Sequence, residues 1–172
     1  MTYQILIGCD CDPDRLGFSS SAKTNKLTWD GIEQGINSFR KQRKDFFNQH
    51  GILINVTWYV RSDLQIKSFF GEAGYCLSKF DALWKELQDE GDEISWHPHV
   101  WDYDHNKDIW FQNSESKEFI RNCLGEGFHS FEKNWGSKPT TMHAGWCFQD
   151  NTTFTALSEL GIEVDSSCLP GH

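Results

Sequence analysis

No Cys-x-x-Cys occurs in these 172 residues, although there are six cysteines, at 9, 11, 76, 123, 147 and 168. A zinc-ribbon framework is thereby excluded. Long apolar runs are also missing. Met1 leads within four residues into Ile5-Leu6-Ile7 with no charged segment before it, so neither a signal peptide nor a transmembrane helix is expected. That places the chain in the cytoplasm and its cysteines in the reduced state, as small apolar residues. Cys9 and Cys11 alternate with aspartates, which would send both into packing. Positive charge is scarce: net charge is −9, and no basic cluster exceeds the Arg40–Lys44 stretch. Nucleic-acid binding by counterion release needs clustered Lys and Arg, so nucleic acid is not an expected partner. Linkers, low-complexity tracts and repeats are absent too, and the length suits one domain spanning residues 1–172.

Aromatic residues are abundant: 15% of the chain, with 8 Trp. Apolar runs and helix-spaced stripes then alternate along the sequence. Residues 3–9 read as a strand halted by Asp10-Cys11-Asp12-Pro13-Asp14. Asp30 opens a helix closed at Gly51. Residues 52–60 form a second strand, with Arg61 and Asp63 at its end. Ser78 and Asp81 resemble a capping box for a helix over 79–90. The third strand is the stretch Asp92–Trp101, with His97 and His99 in it, and a polar, aromatic loop follows through Trp110. A helix is expected over 116–135, interrupted in pattern by Gly125 and Gly127. Strand four spans 139–145, a helix capped by Asp150 or Thr152 reaches Leu160, and strand five covers 162–164. The fold class is α/β, with about five parallel strands and crossover helices.

In such folds function gathers at the C-terminal strand ends, where the polar residues of this chain fall. His97-Pro98-His99 sets two imidazoles two residues apart, at a spacing that shares one face of a strand. Asp10 and Asp12 do the same at the first strand end. An Asp with two His makes a three-ligand site with open positions, the composition of a catalytic zinc centre. The second carboxylate would remain to take a proton from water. The competing readings are ordinary ones: loop histidines, a capping aspartate beside a solvated one, a packed His143, and an Arg61–Asp63 ion pair at a strand end.

Taken together, Ile5-Leu6-Ile7-Gly8-Cys9-Asp10-Cys11-Asp12, Gly91-Asp92-Glu93-Ile94-Ser95-Trp96-His97-Pro98-His99, Ala144-Gly145-Trp146 with Asn151, and Glu159-Leu160-Gly161-Ile162-Glu163-Val164-Asp165-Ser166-Ser167 with Pro170-Gly171 resemble, in order, the motifs of the polysaccharide deacetylase superfamily of carbohydrate esterases. The resemblance implies a distorted (β/α) barrel of about seven strands. It implies metal-dependent removal of an N- or O-acetyl group from a sugar or sugar-linked precursor. By position, Asp10 is then the catalytic base, Asp12 and His97 are metal ligands, and His143 stands where an arginine orients the base. His99 replaces a second histidine that the family carries four residues after the first, where this chain has Trp101. Arg61, Asp63, Trp101 and Trp146 are assigned to the substrate. The metal is a divalent ion, zinc first, with cobalt, nickel and manganese as alternatives. Five β-α units leave the barrel incomplete, with strands one and five as edges that self-association or a further C-terminal segment would cover. His172 is the terminal candidate for a general acid. Two other readings stand beside this one: a haloacid-dehalogenase-like magnesium phosphatase using Asp10 as nucleophile, and a non-catalytic metal- or sugar-binding remnant.

Overall fold

A computed structural model describes residues 7–15 and 27–167. Five parallel strands form one sheet in the order β1 (Gly8–Cys11), β4 (Thr57–Arg61), β5 (Glu93–His97), β8 (Thr141–Met142) and β9 (Val164–Asp165). Among the described residues β1 and β9 are its edges and the sheet does not close, so the incomplete barrel expected from the sequence is what is seen. Two small antiparallel pairs stand apart: β2 (Asp14–Arg15) with β3 (Leu27–Thr28), and the hairpin β6 (Trp101–Asp104) with β7 (Ile109–Gln112). Crossovers are supplied by α1 (Ile32–His50) and by α2 (Leu64–Phe70), α3 (Tyr75–Lys79) and α4 (Asp81–Asp89). They continue with α5 (Lys117–Trp135) and α6 (Asn151–Leu160). No described helix is long and apolar enough to cross a membrane.

Local chemistry explains most boundaries. The 52–60 strand shortens to Thr57–Arg61 because β5 begins only at Glu93, after the Gly91 turn. Val56 stands just before the ladder: its carbonyl accepts from the Glu93 N–H at 2.9 Å, and its N–H donates to the Asp92 carboxylate at 3.0 Å. That carboxylate is buried and also accepts from Arg43 and from the Trp58 indole at 2.9 Å, which ties α1, β4 and β5 together. The opening of α1 falls at Gly31, one residue past Asp30, where Asp14 accepts its N–H at 2.7 Å. Gly51 closes the helix in the left-handed region at φ +66°. Asp150 caps α6 through the Thr153 N–H at 2.7 Å.

Several sequence expectations are corrected. Ser78 caps nothing: it lies within α3, bonded to Glu72 and to the Tyr75 carbonyl, and α4 starts without a side-chain cap. Cys11 is buried as expected, but Cys9 is exposed, because the edge strand leaves it on an open cleft of about 300 Å³ beside Ile32 and Phe39. Strand four narrows to two residues, since the chain turns at once into a 3-10 turn over Gly145–Cys147. Strand five shifts to Val164–Asp165, and Cys168 lies outside the described residues.

The helix expected over 116–135 is found as α5, continuous through Gly125 and Gly127. Its stripe of Ile120, Cys123, Leu124, Phe128 and Phe131 is buried, with Phe128 edge-on to Trp96 of β5. Gly127 serves a close approach: a Cβ there would stand 2.4 Å from the Ser62 carbonyl oxygen and 3.2 Å from Trp96. Ser62 Oγ in turn donates to the Gly127 carbonyl at 2.9 Å. Gly127→Ala is therefore expected to destabilise the protein by about 1–3 kcal/mol through overpacking. Denaturant unfolding checks this, and unchanged or increased stability would contradict it.

Candidate metal centre

Strand register assembles the site. Arg61 pairs with His97 across β4 and β5, and Trp96 pairs with Met142 across β5 and β8. Asp12 follows Cys11, which is opposite Val60. One row across four strands therefore carries Asp12, Arg61, His97 and His143 at the C-terminal ends. Asp10 sits two residues earlier on β1 and faces the same way as Asp12.

Two trios of candidate ligands share His97: Asp12 with His97 and His99, and Asp10 with His97 and His143. Hydrogen bonding separates them. His97 Nδ1 lies 2.5 Å from the His143 carbonyl, which can only accept, so Nδ1 carries the proton and Nε2 is left with its lone pair. Nε2 points into the first trio, which leaves the second without an available His97 atom. Within the first trio, Nε2 of His97 and of His99 are 3.1 Å apart. Asp12 Oδ2 is 3.8 Å from the former, and Asp12 Oδ1 is 3.5 Å from the latter. Ligands of a tetrahedral ion with bonds near 2.0–2.1 Å stand about 3.3–3.4 Å apart. The donor set and its spacing fit a divalent ion. A carbonyl behind His97 is the kind of partner that orients a ligating imidazole.

His99 lies beyond the end of β5 and does not reach the site by strand alternation. Its backbone N–H donates to Asp63 Oδ2 at 3.3 Å, and its ring fits against Gly145, where an added Cβ would come within 2.2 Å of it. Trp101 donates its indole N–H to His99 Nδ1 at 2.8 Å. Burial, reinforced by the charge of Arg61, pushes the His99 pKa down to about 4, so this imidazole is neutral near pH 7.

Arg61 has no exposed surface. Its fork is fully engaged: Nε on Asp63 Oδ2 at 2.7 Å, Nη1 on Asp12 Oδ1 at 3.0 Å, and Nη2 on Gln65 Oε1 at 2.5 Å. Asp63 is equally buried, and its Oδ1 caps α2 through the Ile66 N–H at 3.0 Å. Burial opposes the charge on Asp12, yet His97, His99 and Arg61 around it hold its carboxyl well below the usual range.

Asp10 and His143 form the neighbouring pair, Oδ1 to Nδ1 at 2.7 Å. Burial again disfavours the carboxylate, but the hydrogen bond from His143 outweighs it and lowers the Asp10 pKa. The same bond raises the pKa of His143, helped by the charges of Asp10 and Asp165. Asp10 keeps 40% of its side chain exposed, in reach of water.

The sequence-assigned substrate residues divide. Trp146 is 63% exposed, in a left-handed conformation (φ 56°, ψ 23°) that is uncommon for a bulky residue, and its ring meets Trp101 edge-on at 5.3 Å. Arg61, Asp63 and Trp101 lie beneath the surface. All three are buried with their polar groups committed to Asp12, the α2 N-terminus and His99, so their surfaces face the protein. Gln65 and Gly145 complete the surroundings of Arg61 and His99. The Ala144-Gly145-Trp146 motif carried a signal for Gly145, while nothing marked Gln65. His172 lies outside the described residues.

Removing one partner of a buried ion pair costs about 3–5 kcal/mol. Asp63→Ala is expected to lose that much in denaturant unfolding, and a loss below 1 kcal/mol would contradict the hub assigned to it. The Asp10–His143 pair sets a pH dependence in metal-free protein. His143, ordinarily near 6.5, is raised, so its contribution is full below pH 6.5 and fades as pH climbs through the folded value. Asp10, ordinarily near 3.8, is lowered, so its contribution is full above that pH and fades in acid. The stability lost in His143→Ala should be largest between about pH 4 and 6.5 and shrink toward pH 9. Unfolding curves at several pH values check this, and a deficit growing with pH would contradict it.

No protein-family model matches the sequence, and no curated protein matches it. Solved structures do. A family 4 carbohydrate esterase from Streptomyces lividans, solved in complex with acetate, superposes at TM-score 0.50 with 12% identity over 93% of this chain. An acetyl xylan esterase of family 4 from Clostridium thermocellum, in complex with a cobalt ion, gives TM-score 0.46 and 15% identity, covering 88% of this chain and 53% of that one. A CE4 family pseudoenzyme from Bacillus anthracis gives TM-score 0.47 and 11% identity, covering 75% and 38%. The chain spans 60% of the length of the Streptomyces protein. In fold, the chain is similar to the family 4 carbohydrate esterases, as its motifs anticipated.

Proposed function

We propose that this chain removes an acetyl group from a carbohydrate by hydrolysis, using a divalent ion held by Asp12 and His97, with His99 beside them. The observation that carries this reading is the meeting, at the C-terminal end of the sheet, of a ligand trio with a separate, solvent-reachable carboxylate. An ion bound there, zinc or a similar metal, would supply a Lewis acid for the acyl carbonyl and acidify a water molecule. Asp10 takes the proton from that water. His143 keeps Asp10 ionised and aimed, which is the orienting task that the resemblance gives to an arginine. The proton held on Asp10 is then at hand for the leaving amine or alcohol, so the proton count balances without a second acid. Arg61 neutralises Asp63 and fixes Asp12, leaving the Asp12 charge for the cation. Trp146 offers a flat apolar ring at the mouth of the site, suited to stacking on a pyranose face. Imidazole beside carboxylate favours zinc-like ions, whereas magnesium prefers all-oxygen shells. That weighs against the phosphatase reading.

His97→Ala is expected to weaken zinc or cobalt binding by more than tenfold in calorimetric titration. Asp10→Asn should retain the ion while losing turnover of an acetylated amino sugar by about 10²-fold or more. Full metal occupancy in His97→Ala would overturn the ligand assignment. Magnesium-dependent phosphatase activity that is lost in Asp10→Asn, with no acetyl release by either protein, would overturn the reaction class. Metal binding without any turnover would leave a binding remnant instead of an enzyme.

A further inference from the structure

Three hydrogen bonds run in one direction through the ligand cluster. An indole N–H is a donor only, so the 2.8 Å contact from Trp101 requires a lone pair on His99 Nδ1. A histidine accepting at Nδ1 carries its proton on Nε2. That N–H faces His97 Nε2 at 3.1 Å, whose lone pair is free because His97 Nδ1 donates to the His143 carbonyl at 2.5 Å. Every donor in this series meets an acceptor, from the Trp101 indole to the His143 carbonyl just after β8.

Satisfied this way, the cluster does not present two imidazole lone pairs to a cation. A neutral histidine that ligates through Nε2 must hold its proton on Nδ1, and the usual partner there is a carbonyl or carboxylate. Here the partner is another donor. Two N–H groups would be set against each other at a distance suited to one. The neighbours leave little room for escape. Trp101 is 4% exposed, is paired with Gln112 in the β6–β7 hairpin, and stacks on His99 with centroids 6.4 Å apart. Gly145 fills the space beside the His99 ring.

We propose that Trp101, through its indole N–H, holds His99 in the Nε2–H tautomer and thereby sets the metal affinity of the site below that of an open Asp-His-His centre. The proposal rests on the metal-site reading above and adds a regulator to it. Asp12 is ready for an ion as it stands, while the lone pair of His97 Nε2 is released and His99 joins only after the His99 proton moves to Nδ1 and the indole N–H gives way. Trp101 is a positioning residue that acts through His99 and does not touch the ion.

Two measurements test this. In metal-free wild-type protein labelled with ¹⁵N, long-range proton–nitrogen correlation reads each imidazole tautomer directly. His99 is expected as Nε2–H and His97 as Nδ1–H, and a His99 proton on Nδ1 overturns the proposal. This experiment needs no variant and no bound ion, so it decides the tautomer even if a substitution at Trp101 fails to fold. Second, Co²⁺ titration should show Trp101→Phe, folded by near-ultraviolet circular dichroism, binding at least tenfold more tightly than wild type. Equal or weaker binding by the folded variant overturns the proposal while the site reading stands. Absence of Co²⁺ binding to both proteins overturns the site reading itself, and with it the role given to Trp101.

Discussion

A guanidinium with no exposed surface must have its charge and its fork of donors answered inside the protein, and the arrangement around Arg61 follows from that demand. Burying an unpaired charge costs several kcal/mol even after relaxation. Arg61 meets this with two carboxylates and an amide: Asp63, Asp12 and Gln65. Each partner then performs a second task. Asp63 caps α2 and holds the backbone of His99, Gln65 lies in the first turn of α2, and Asp12 faces the two imidazoles. One buried cation thus joins the end of β4, the start of α2, the loop after β5 and the loop after β1.

The parallel register does the rest of the positioning. Because β1, β4, β5 and β8 are aligned side by side, residues from four distant parts of the chain fall in one row. Alternation within β1 puts Asp10 and Asp12 on the same side but at different depths. Asp10 reaches His143 and Asp12 reaches His97 and His99. Two adjacent carboxylates thereby receive different partners: the single imidazole of His143 for Asp10, and the imidazoles of His97 and His99 for Asp12. The difference comes from their surroundings and not from their chemistry.

Much of this was legible in sequence, for physical reasons. Parallel strands with crossovers announce themselves by apolar runs separated by helix-spaced stripes, and their polar ends mark the site. His97 could be inferred from its strand-end position, whereas the pairing of Asp10 with His143 was implied only by the family resemblance. Trp101 could not, because an aromatic residue after a histidine pair suits a ligand platform as well as a buried donor, and only its hydrogen bond to His99 decides. His99 was expected on the face of His97 from a spacing of two. It does reach the same site, but from beyond the strand, placed by Asp63 and Gly145. Arg61 and Asp63 read in sequence as substrate contacts or as an ion pair at a strand end, and nothing there marks their burial beside α2, which is seven residues long, too short for periodicity to reveal. The β6–β7 hairpin was hidden for a similar reason. Its residues are polar and aromatic, without the apolar alternation that marks a half-buried strand.

The central claim is that Asp12 and His97 hold a divalent ion at the C-terminal ends of β1 and β5. Anomalous diffraction from crystals grown with Co²⁺ or Zn²⁺ tests it most directly. The expected result is a single strong peak about 2.0–2.2 Å from a carboxylate oxygen of Asp12 and from Nε2 of His97. A metal peak found elsewhere, or none at this cluster at millimolar metal, would contradict the account.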